Sequence, residues 1–162
     1  MLFGWQRIAQ NQTGHDAAWQ LLEKMYRQQT GGEMPEVART TLGKPYFVDA
    51  PWYFSLSHTK RHAFCVLSDM TVGIDAEEMD RPIRLELAEK ILSPGEKAGY
   101  DTAQDKRLAL LTFWVLKEAQ KKCTGQGLQP YPRDTDFSLE DPRVQMIDGC
   151  LVAVIEEEDY AV

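Results

Sequence analysis

The longest regular pattern in this 162-residue sequence is helical and runs from about Gln104 to Cys123. Its apolar residues recur at three- and four-residue intervals and form one stripe, made of Leu108, Leu111, Val115 and Ala119. Glycines at 125 and 127 end the pattern, because glycine readily adopts the conformations of a helix stop and a tight loop. A helix of this length must bury its stripe, so the rest of the chain has to supply an apolar surface.

Strand-like segments on both sides of this helix supply that surface. They alternate or are continuously apolar over four to seven residues, which is typical of half-buried and fully buried strands. The predicted strands are 52–58, 63–67, 72–77, 136–139, 143–147 and 151–156. Asp148-Gly149 predicts a hairpin turn between the last two.

Three further segments read as helical. Asp16 to Gln29 has helical apolar spacing and stops at Gly31-Gly32, and Pro82 to Leu92 carries a second stripe. Ser93-Pro94 opens a short helix, with the serine as N-cap. Met34 to Pro51 reads mainly as loop and short extended pieces. Together the helices and strands predict the α+β class, in one domain over residues 1–162.

Charge and cysteine content narrow the function classes. Eighteen Lys and Arg against 25 Asp and Glu give a formal charge of −7, which argues against a nucleic-acid partner. The longest apolar stretch, Leu108 to Leu116, is about half of what a membrane helix needs, and the N-terminus has no secretory pattern. Three cysteines without a CxxC pair indicate reduced thiols, so we expect a cytoplasmic protein.

The strand Val-Gly-Ile-Asp-Ala-Glu at 72–77 places Gly73, Asp75 and Glu77 on one face. Two carboxylates about 7 Å apart repel one another unless a cation lies between them, and the glycine permits another element to approach closely. The alternative is a solvated strand end, since Glu78 and Asp80 continue the acidic run.

The long helix carries a second candidate pair. Glu118 lies beside the apolar stripe and Lys122 falls within it, four residues later, so each can perturb the other. The alternative is a local ion pair on an exposed helix face. The Gly-Gln-Gly loop that follows could offer backbone amides to a phosphate, although this motif alone is a weak signal.

The third feature joins Gly-Lys-Pro-Tyr at 43–46 to Phe-Ser-Leu-Ser-His-Thr at 54–59. A lysine, hydroxyls and a histidine at a strand end suit an anion, and Pro45 stiffens the segment that bears Lys44. Taken singly, His58 is more typical of a structural histidine.

In this order the three features resemble the phosphopantetheinyl transferase superfamily, in its monomeric, surfactin-synthetase-activating type. The matching text is GKPYF, FSLSHT, VGIDAEE and FWVLKEAQKKCTGQGL, from Gly43 to Leu128. The resemblance implies Mg²⁺-dependent transfer of the 4′-phosphopantetheine arm of coenzyme A to a serine of an acyl or peptidyl carrier protein, with release of 3′,5′-ADP. It also implies two related α+β halves around one cleft, here about 1–69 and 70–162, with the first half abbreviated.

The resemblance assigns roles to individual residues. Asp75, Glu77 and Glu118 match the metal carboxylates, and Glu118 also matches the proposed base. Lys122 matches the lysine at the pyrophosphate and is counted with Glu118 as catalytic. The residues expected to bind coenzyme A are Lys44, Pro45, Ser57, His58, Thr59 and Lys122.

Three departures from the family pattern stand out. The chain is short before Asp16, where the family often has further nucleotide contacts; Ser55 stands where asparagine is common; and Ala76 replaces a larger aliphatic residue. The other functions considered are a coenzyme A pyrophosphatase and a degenerate carrier-binding protein. We expect a monomer, because both groups of site motifs lie on one chain.

Family carriers are typically acidic, so a chain of charge −7 should dock them on a local basic patch. The helical pattern places Lys117 and Lys121 away from the core stripe, where we expect them to form that surface. Arg81 and Arg84 are the next candidates.

Overall fold

The computed structural model describes residues 1–131 and 135–156. The strands are β1 Leu2–Arg7, β2 Val37–Arg39, β3 Pro45–Phe47, β4 Tyr53–His58, β5 His62–Ser68, β6 Val72–Glu78, β7 Val144–Ile147 and β8 Cys150–Glu156. The helices are α1 Gly14–Thr30, α2 Ala88–Ile91, α3 Pro94–Thr102 and α4 Lys106–Thr124, with a 3₁₀ turn at Leu85–Leu87 before α2. Helices and strands are thus mixed, and the α+β prediction is confirmed.

Two three-stranded antiparallel sheets form the centre of the molecule, in the orders β1-β5-β4 and β6-β8-β7. A small β2-β3 ribbon lies apart from both. Helix α1 packs on the first sheet and α4 on the second. The remaining faces meet in an apolar cluster that includes Phe64 and Val66 of β5 and Ile74 and Val152 of the second sheet. The layers therefore run helix, sheet, sheet, helix.

Two serine hydroxyls join the sheets where their edge strands β4 and β6 meet. Ser55 Oγ accepts the backbone N–H of Ile74 at 3.0 Å, and Ser57 Oγ accepts that of Ala76 at 3.1 Å. Both serines are buried, so these bonds satisfy edge amides that would otherwise lack partners. The serine that stands in place of the family's asparagine is thus part of the sheet junction.

Helix α4 crosses β6 directly over Gly73. A Cβ at this position would lie 2.0 Å from the carbonyl oxygen of Ala119 and 2.4 Å from the amide nitrogen of Cys123. The close approach that the glycine predicted is confirmed, and it brings the C-terminal part of α4 against the strand that carries Asp75.

Most of the predicted elements are confirmed within a few residues. The β7–β8 hairpin turns at Asp148 and Gly149, whose φ values of 45° and 79° suit a tight hairpin. Ser93 caps α3 and forms a reciprocal capping box with Glu96. Cys65, Cys123 and Cys150 are buried and form no disulfide among the described residues, and no helix in that part of the chain has the length and apolarity to cross a bilayer.

Three predictions of secondary structure were wrong or incomplete. Strand β1 was not predicted at all. Residues 136–139 form no strand, because the amide of Phe137 donates to Glu96 Oε1 at 3.0 Å and Asp136 accepts the Ser93 hydroxyl. The helix expected over 82–92 is shorter and spans Leu85–Ile91, as a 3₁₀ turn followed by α2.

The expected docking surface on α4 was also wrong. Lys117 is 0% exposed, and its Nζ lies 2.9 Å from Oε2 of Glu96, which is also 0% exposed. Lys121 is 9% exposed and lies 4.3 Å from the centre of the Tyr131 ring. Helix α4 is buried on more than its apolar stripe because α3 and the segment after α4 pack against it, so neither lysine is available to a partner.

We predict that Lys117→Met lowers the free energy of unfolding by about 3–5 kcal/mol, because it leaves the Glu96 carboxylate buried without its cation. Lys97→Met is the control, since its pair with Glu89 is solvent-exposed and should contribute little to stability. Urea denaturation measures both variants. Equal losses of unfolding free energy in the two variants would show that the buried pair contributes no more to stability than the exposed one.

Candidate active site

A cavity of about 470 Å³ lies between α1, the β2-β3 ribbon, β4 and the C-terminal end of α4. Five of the residues predicted from the sequence line it, namely Lys44, Pro45, His58, Glu118 and Lys122. Segments far apart in the chain thus meet at one site.

The cavity is rich in positive charge although the chain is acidic. Its basic lining is Arg39, Lys44, Lys121, Lys122, His15 and His58. Glu118 is the one carboxylate among the described residues that line it. Four fixed cations around one apolar-walled opening produce a local positive potential, which suits an anion with several charged groups.

Lys44 reaches the cavity from the turn between β2 and β3. Gly43 has a φ of 93°, which glycine adopts without strain, and Thr40 Oγ1 accepts the Lys44 amide at 3.0 Å. The Lys44 Nζ donates to the carbonyl oxygen of Cys123 at 2.5 Å, at the last turn of α4. The ribbon and α4 are thereby connected at the edge of the cavity.

His58 ends β4 and is exposed. It lies against Gly14 at the start of α1, where a Cβ would come within 2.3 Å of its Nδ1. The ring therefore stands at the cavity wall and is not enclosed in the core, contrary to the structural alternative.

Two predicted ligand-binding residues lie outside this cavity. Ser57 is buried beneath it at the sheet junction, where its hydroxyl also donates to Asp75 Oδ1 at 3.4 Å. Thr59 forms the β4–β5 turn, where its hydroxyl donates to Glu78 and accepts the amide of His62, both at 3.0 Å. Ser57 thus contacts the site through Asp75, whereas Thr59 fixes the turn that follows His58.

Asp75 is 6% exposed, so the solvated strand end considered above was wrong. Lys122 Nζ donates to its Oδ1 at 2.8 Å and lies 3.4 Å from the carbonyl oxygen of Leu56. The partner of Lys122 is therefore on β6 and not on its own helix. Burial raises the pKa of Asp75, and the charge of Lys122 opposes that shift. The Oδ2 atom of Asp75 is buried and has no hydrogen-bond partner among the described residues.

The other two carboxylates each have a donor. Glu77 pairs with Arg81, and its pKa is raised by burial and then by the charge of Asp75. Glu118 accepts the hydroxyl of Tyr131. Burial, together with this carboxylate, raises the pKa of Tyr131, so the phenol remains a donor.

The Oδ2 atom of Asp75 indicates how these residues could bind a metal ion. Among the described residues, no three His, Cys, Asp or Glu side chains are grouped so that they alone would hold a metal. Magnesium commonly takes only one or two carboxylates and fills its shell with substrate phosphate and water. The buried, unpartnered Oδ2 of Asp75 beside a cavity suited to anions fits that kind of site.

Comparison with known proteins places this geometry in a family. The model of the 4′-phosphopantetheinyl transferase superfamily matches residues 71–153, about half of the chain. The chain belongs to this superfamily. The matched region holds Asp75, Glu77, Glu118 and Lys122, whereas Lys44 and His58 precede it.

Two curated relatives bear the superfamily's name. The chain is 35% identical over 89 residues to the 4′-phosphopantetheinyl transferase psf-1 of Bacillus pumilus, covering 53% of this chain and 38% of that protein. It is 32% identical over 88 residues to the transferase gsp of Aneurinibacillus migulanus, covering 53% and 36%. The matches thus span less than two fifths of these relatives. A Thermotoga maritima holo-[acyl-carrier-protein] synthase structure matches with 26% identity and a TM-score of 0.43, over 52% of this chain and 61% of that one.

Sequence reasoning missed several residues of this transferase-family site. Arg39 lines the cavity and is fixed by a 2.9 Å hydrogen bond from its guanidinium to the carbonyl oxygen of Gly43. His15 and Trp19 line it from α1 at i and i+4, a spacing that could have indicated a shared helix face. Tyr131 had no local signal, because the loop that carries it has no periodic pattern.

We predict energetic coupling between Asp75 and Lys122. Removing either partner leaves a poorly solvated charge, so Asp75→Asn and Lys122→Met together should cost less than the sum of the single losses, by about 0.5–3 kcal/mol. The same cycle on the exposed Glu23–Arg27 pair is the control, with an expected coupling of about 0.3–0.5 kcal/mol. Urea denaturation gives all the values, and strict additivity at Asp75 and Lys122 would contradict the assignment.

Proposed function

We propose that this protein transfers 4′-phosphopantetheine from coenzyme A to a serine of an apo acyl or peptidyl carrier protein. The serine oxygen forms a bond to the phosphorus of the phosphopantetheine group. The bond from that phosphorus to the bridging pyrophosphate oxygen breaks, and 3′,5′-ADP leaves. The observation that carries the proposal is one cavity in which Lys44, His58 and Lys122 meet Glu118, with buried Asp75 in contact with Lys122.

The cations of the cavity match the charges of coenzyme A, which has a pyrophosphate and a 3′-phosphate. Lys122, held beside Asp75, would contact the pyrophosphate and stabilise the charge of the leaving group. Lys44 and His58, which line the same cavity, would hold the nucleotide and its 3′-phosphate. Pro45 follows Lys44 in β3 and stiffens the segment that presents it.

The carboxylates have the chemistry of a magnesium site and a base. Asp75, Glu77 and Glu118 would hold Mg²⁺, whose charge offsets that of the pyrophosphate oxygens when it is bound. Glu118 lines the cavity, and it would accept the serine proton directly or through a water. Ser57 would support this arrangement through its hydrogen bond to Asp75, and Thr59 would fix the turn that follows His58.

Transfer is preferred over the other two functions. A coenzyme A pyrophosphatase would use the same groups with water as the nucleophile, but the curated relatives are named as transferases. A degenerate carrier-binding protein would have no need of clustered carboxylates. Because one chain supplies all the residues that line the cavity, we propose that the enzyme acts as a monomer. The cysteine pattern supports a cytoplasmic location. With Lys117 and Lys121 buried, Arg84 is the better candidate for carrier docking, since its side chain is 86% exposed.

We predict that the protein, coenzyme A and Mg²⁺ convert an apo carrier protein into a form heavier by one phosphopantetheine group on a serine. Asp75→Asn and Glu118→Gln should abolish the conversion, because each removes an anionic ligand. Glu23→Gln, on the exposed face of α1, is the control and should keep full activity. Intact-protein mass spectrometry gives the result. An unmodified carrier with free phosphopantetheine would identify a pyrophosphatase and overturn the proposal.

We also predict that coenzyme A binds more tightly than its 3′-dephospho form, and that His58→Ala narrows the difference, with Lys44 still present. The lost charged hydrogen bond should cost about 1.5–3 kcal/mol with coenzyme A and little with the dephospho form. Calorimetric titration with both ligands measures this, and the dephospho form serves as the matched control. Equal losses with the two ligands would show that His58 does not contact the 3′-phosphate.

A further inference from the structure

The segment after α4 returns to the helix through Tyr131. Its hydroxyl donates to Glu118 Oε1, its ring lies 4.3 Å from Lys121 Nζ, and its centroid is 6.1 Å from that of Trp114. These partners stand at positions 114, 118 and 121 of α4, which share one face of the helix. Three different contacts thus fix one partly buried side chain.

The same helix face connects Glu118 to Glu77. Trp114 packs under Arg81, the ion-pair partner of Glu77, with the guanidinium carbon 5.7 Å from the centre of its ring. Of the two adjacent aromatic side chains, Tyr131 therefore contacts Glu118 directly, whereas Trp114 supports Glu77 through Arg81. This places a rigid aromatic support behind both carboxylates.

We propose that Tyr131 is a positioning residue, whose hydroxyl holds Oε1 of Glu118 and directs Oε2 toward the divalent cation. The inference rests on the proposed function, in which Glu118 is a metal ligand. A carboxylate that binds a metal is commonly oriented by a hydrogen bond to its other oxygen. Tyrosine suits this task because its side chain has few rotatable bonds and its ring is already packed.

The charge around Glu118 explains why such a restraint matters. Lys121 and Lys122 line the same cavity and would attract a freely rotating carboxylate. In the structure Lys121 lies over the Tyr131 ring and Lys122 contacts Asp75. Tyr131 thus contacts Lys121 through its ring and Glu118 Oε1 through its hydroxyl. The second oxygen of Glu118 then remains available to the cation.

Direct binding of Mn²⁺ to the full chain, with coenzyme A present, tests the proposal. Tyr131→Phe keeps the ring and removes only the hydroxyl, so Mn²⁺ affinity should fall about 10–100-fold while coenzyme A affinity without metal is unchanged. In a Glu118→Gln background, Tyr131→Phe should have no further effect, because it acts through that carboxylate. Tyr53→Phe, on an exposed part of β4, is the control and should match the wild type. Electron paramagnetic resonance measures free Mn²⁺, with a protein-free sample to correct for coenzyme A.

Turnover supplies a second measurement. The Mg²⁺ concentration for half-maximal transfer should rise by the same factor in Tyr131→Phe, with an unchanged KM for coenzyme A. Thermal unfolding of each variant identifies any loss of fold. Unchanged or tighter Mn²⁺ binding in Tyr131→Phe would overturn the positioning role. If Glu118→Gln itself binds Mn²⁺ like the wild type, the proposed metal role of Glu118 fails, and the inference fails with it for that separate reason.

Discussion

The arrangement of this molecule depends on two serine hydroxyls that stand between the backbones of β4 and β6. Ser55 and Ser57 accept the amides of Ile74 and Ala76, so a side chain takes the place of a ladder hydrogen bond at the junction of the two sheets. The serine hydroxyls thus satisfy amides at the edge of β6, and β4 and β6 do not pair as neighbouring strands of one sheet. Ser57 and the Leu56 carbonyl are consequently held next to Asp75 and Lys122, and the cavity lies where the two sheets meet.

Helix α4 contains two lysines, Lys117 and Lys122, that pair with buried carboxylates in different environments. Lys117 and Glu96 are both fully buried, and Glu96 also accepts the amides of Ser93 and Phe137, so that pair is a closed structural anchor. Lys122 is one-third exposed toward the cavity, and Asp75 keeps one oxygen without a partner. Closed pairs stabilise a fold or specify it, whereas an incompletely paired buried group is a candidate for binding a ligand.

The contrast shows what periodicity can and cannot predict. The pattern around Gly73 correctly predicted close approach of another element, because only a missing side chain permits it. The helical pattern misplaced Lys117, since its environment is set by Glu96, which lies outside α4 and is brought there by tertiary packing. Strand β1 escaped prediction for a similar reason: Gly4 weakens a strand locally, yet it makes room for Met25 of α1. Tyr131 likewise acquires its role from a contact that no local pattern encodes.

The charges of the candidate site divide between the two parts of the chain. Arg39, Lys44 and His58 come from the first 70 residues, whereas the later region that the superfamily model matches supplies Asp75, Glu118, Lys121 and Lys122. The first part would not suffice alone, because cations without carboxylates bind an anion but supply neither metal ligands nor a base. Its cations add to the two lysines of the later region and raise the positive potential that a ligand with several anionic groups requires. The two groups of charges therefore have to meet in one cavity. The local potential that results there, and not the net charge of −7, governs which ligand the cavity accepts.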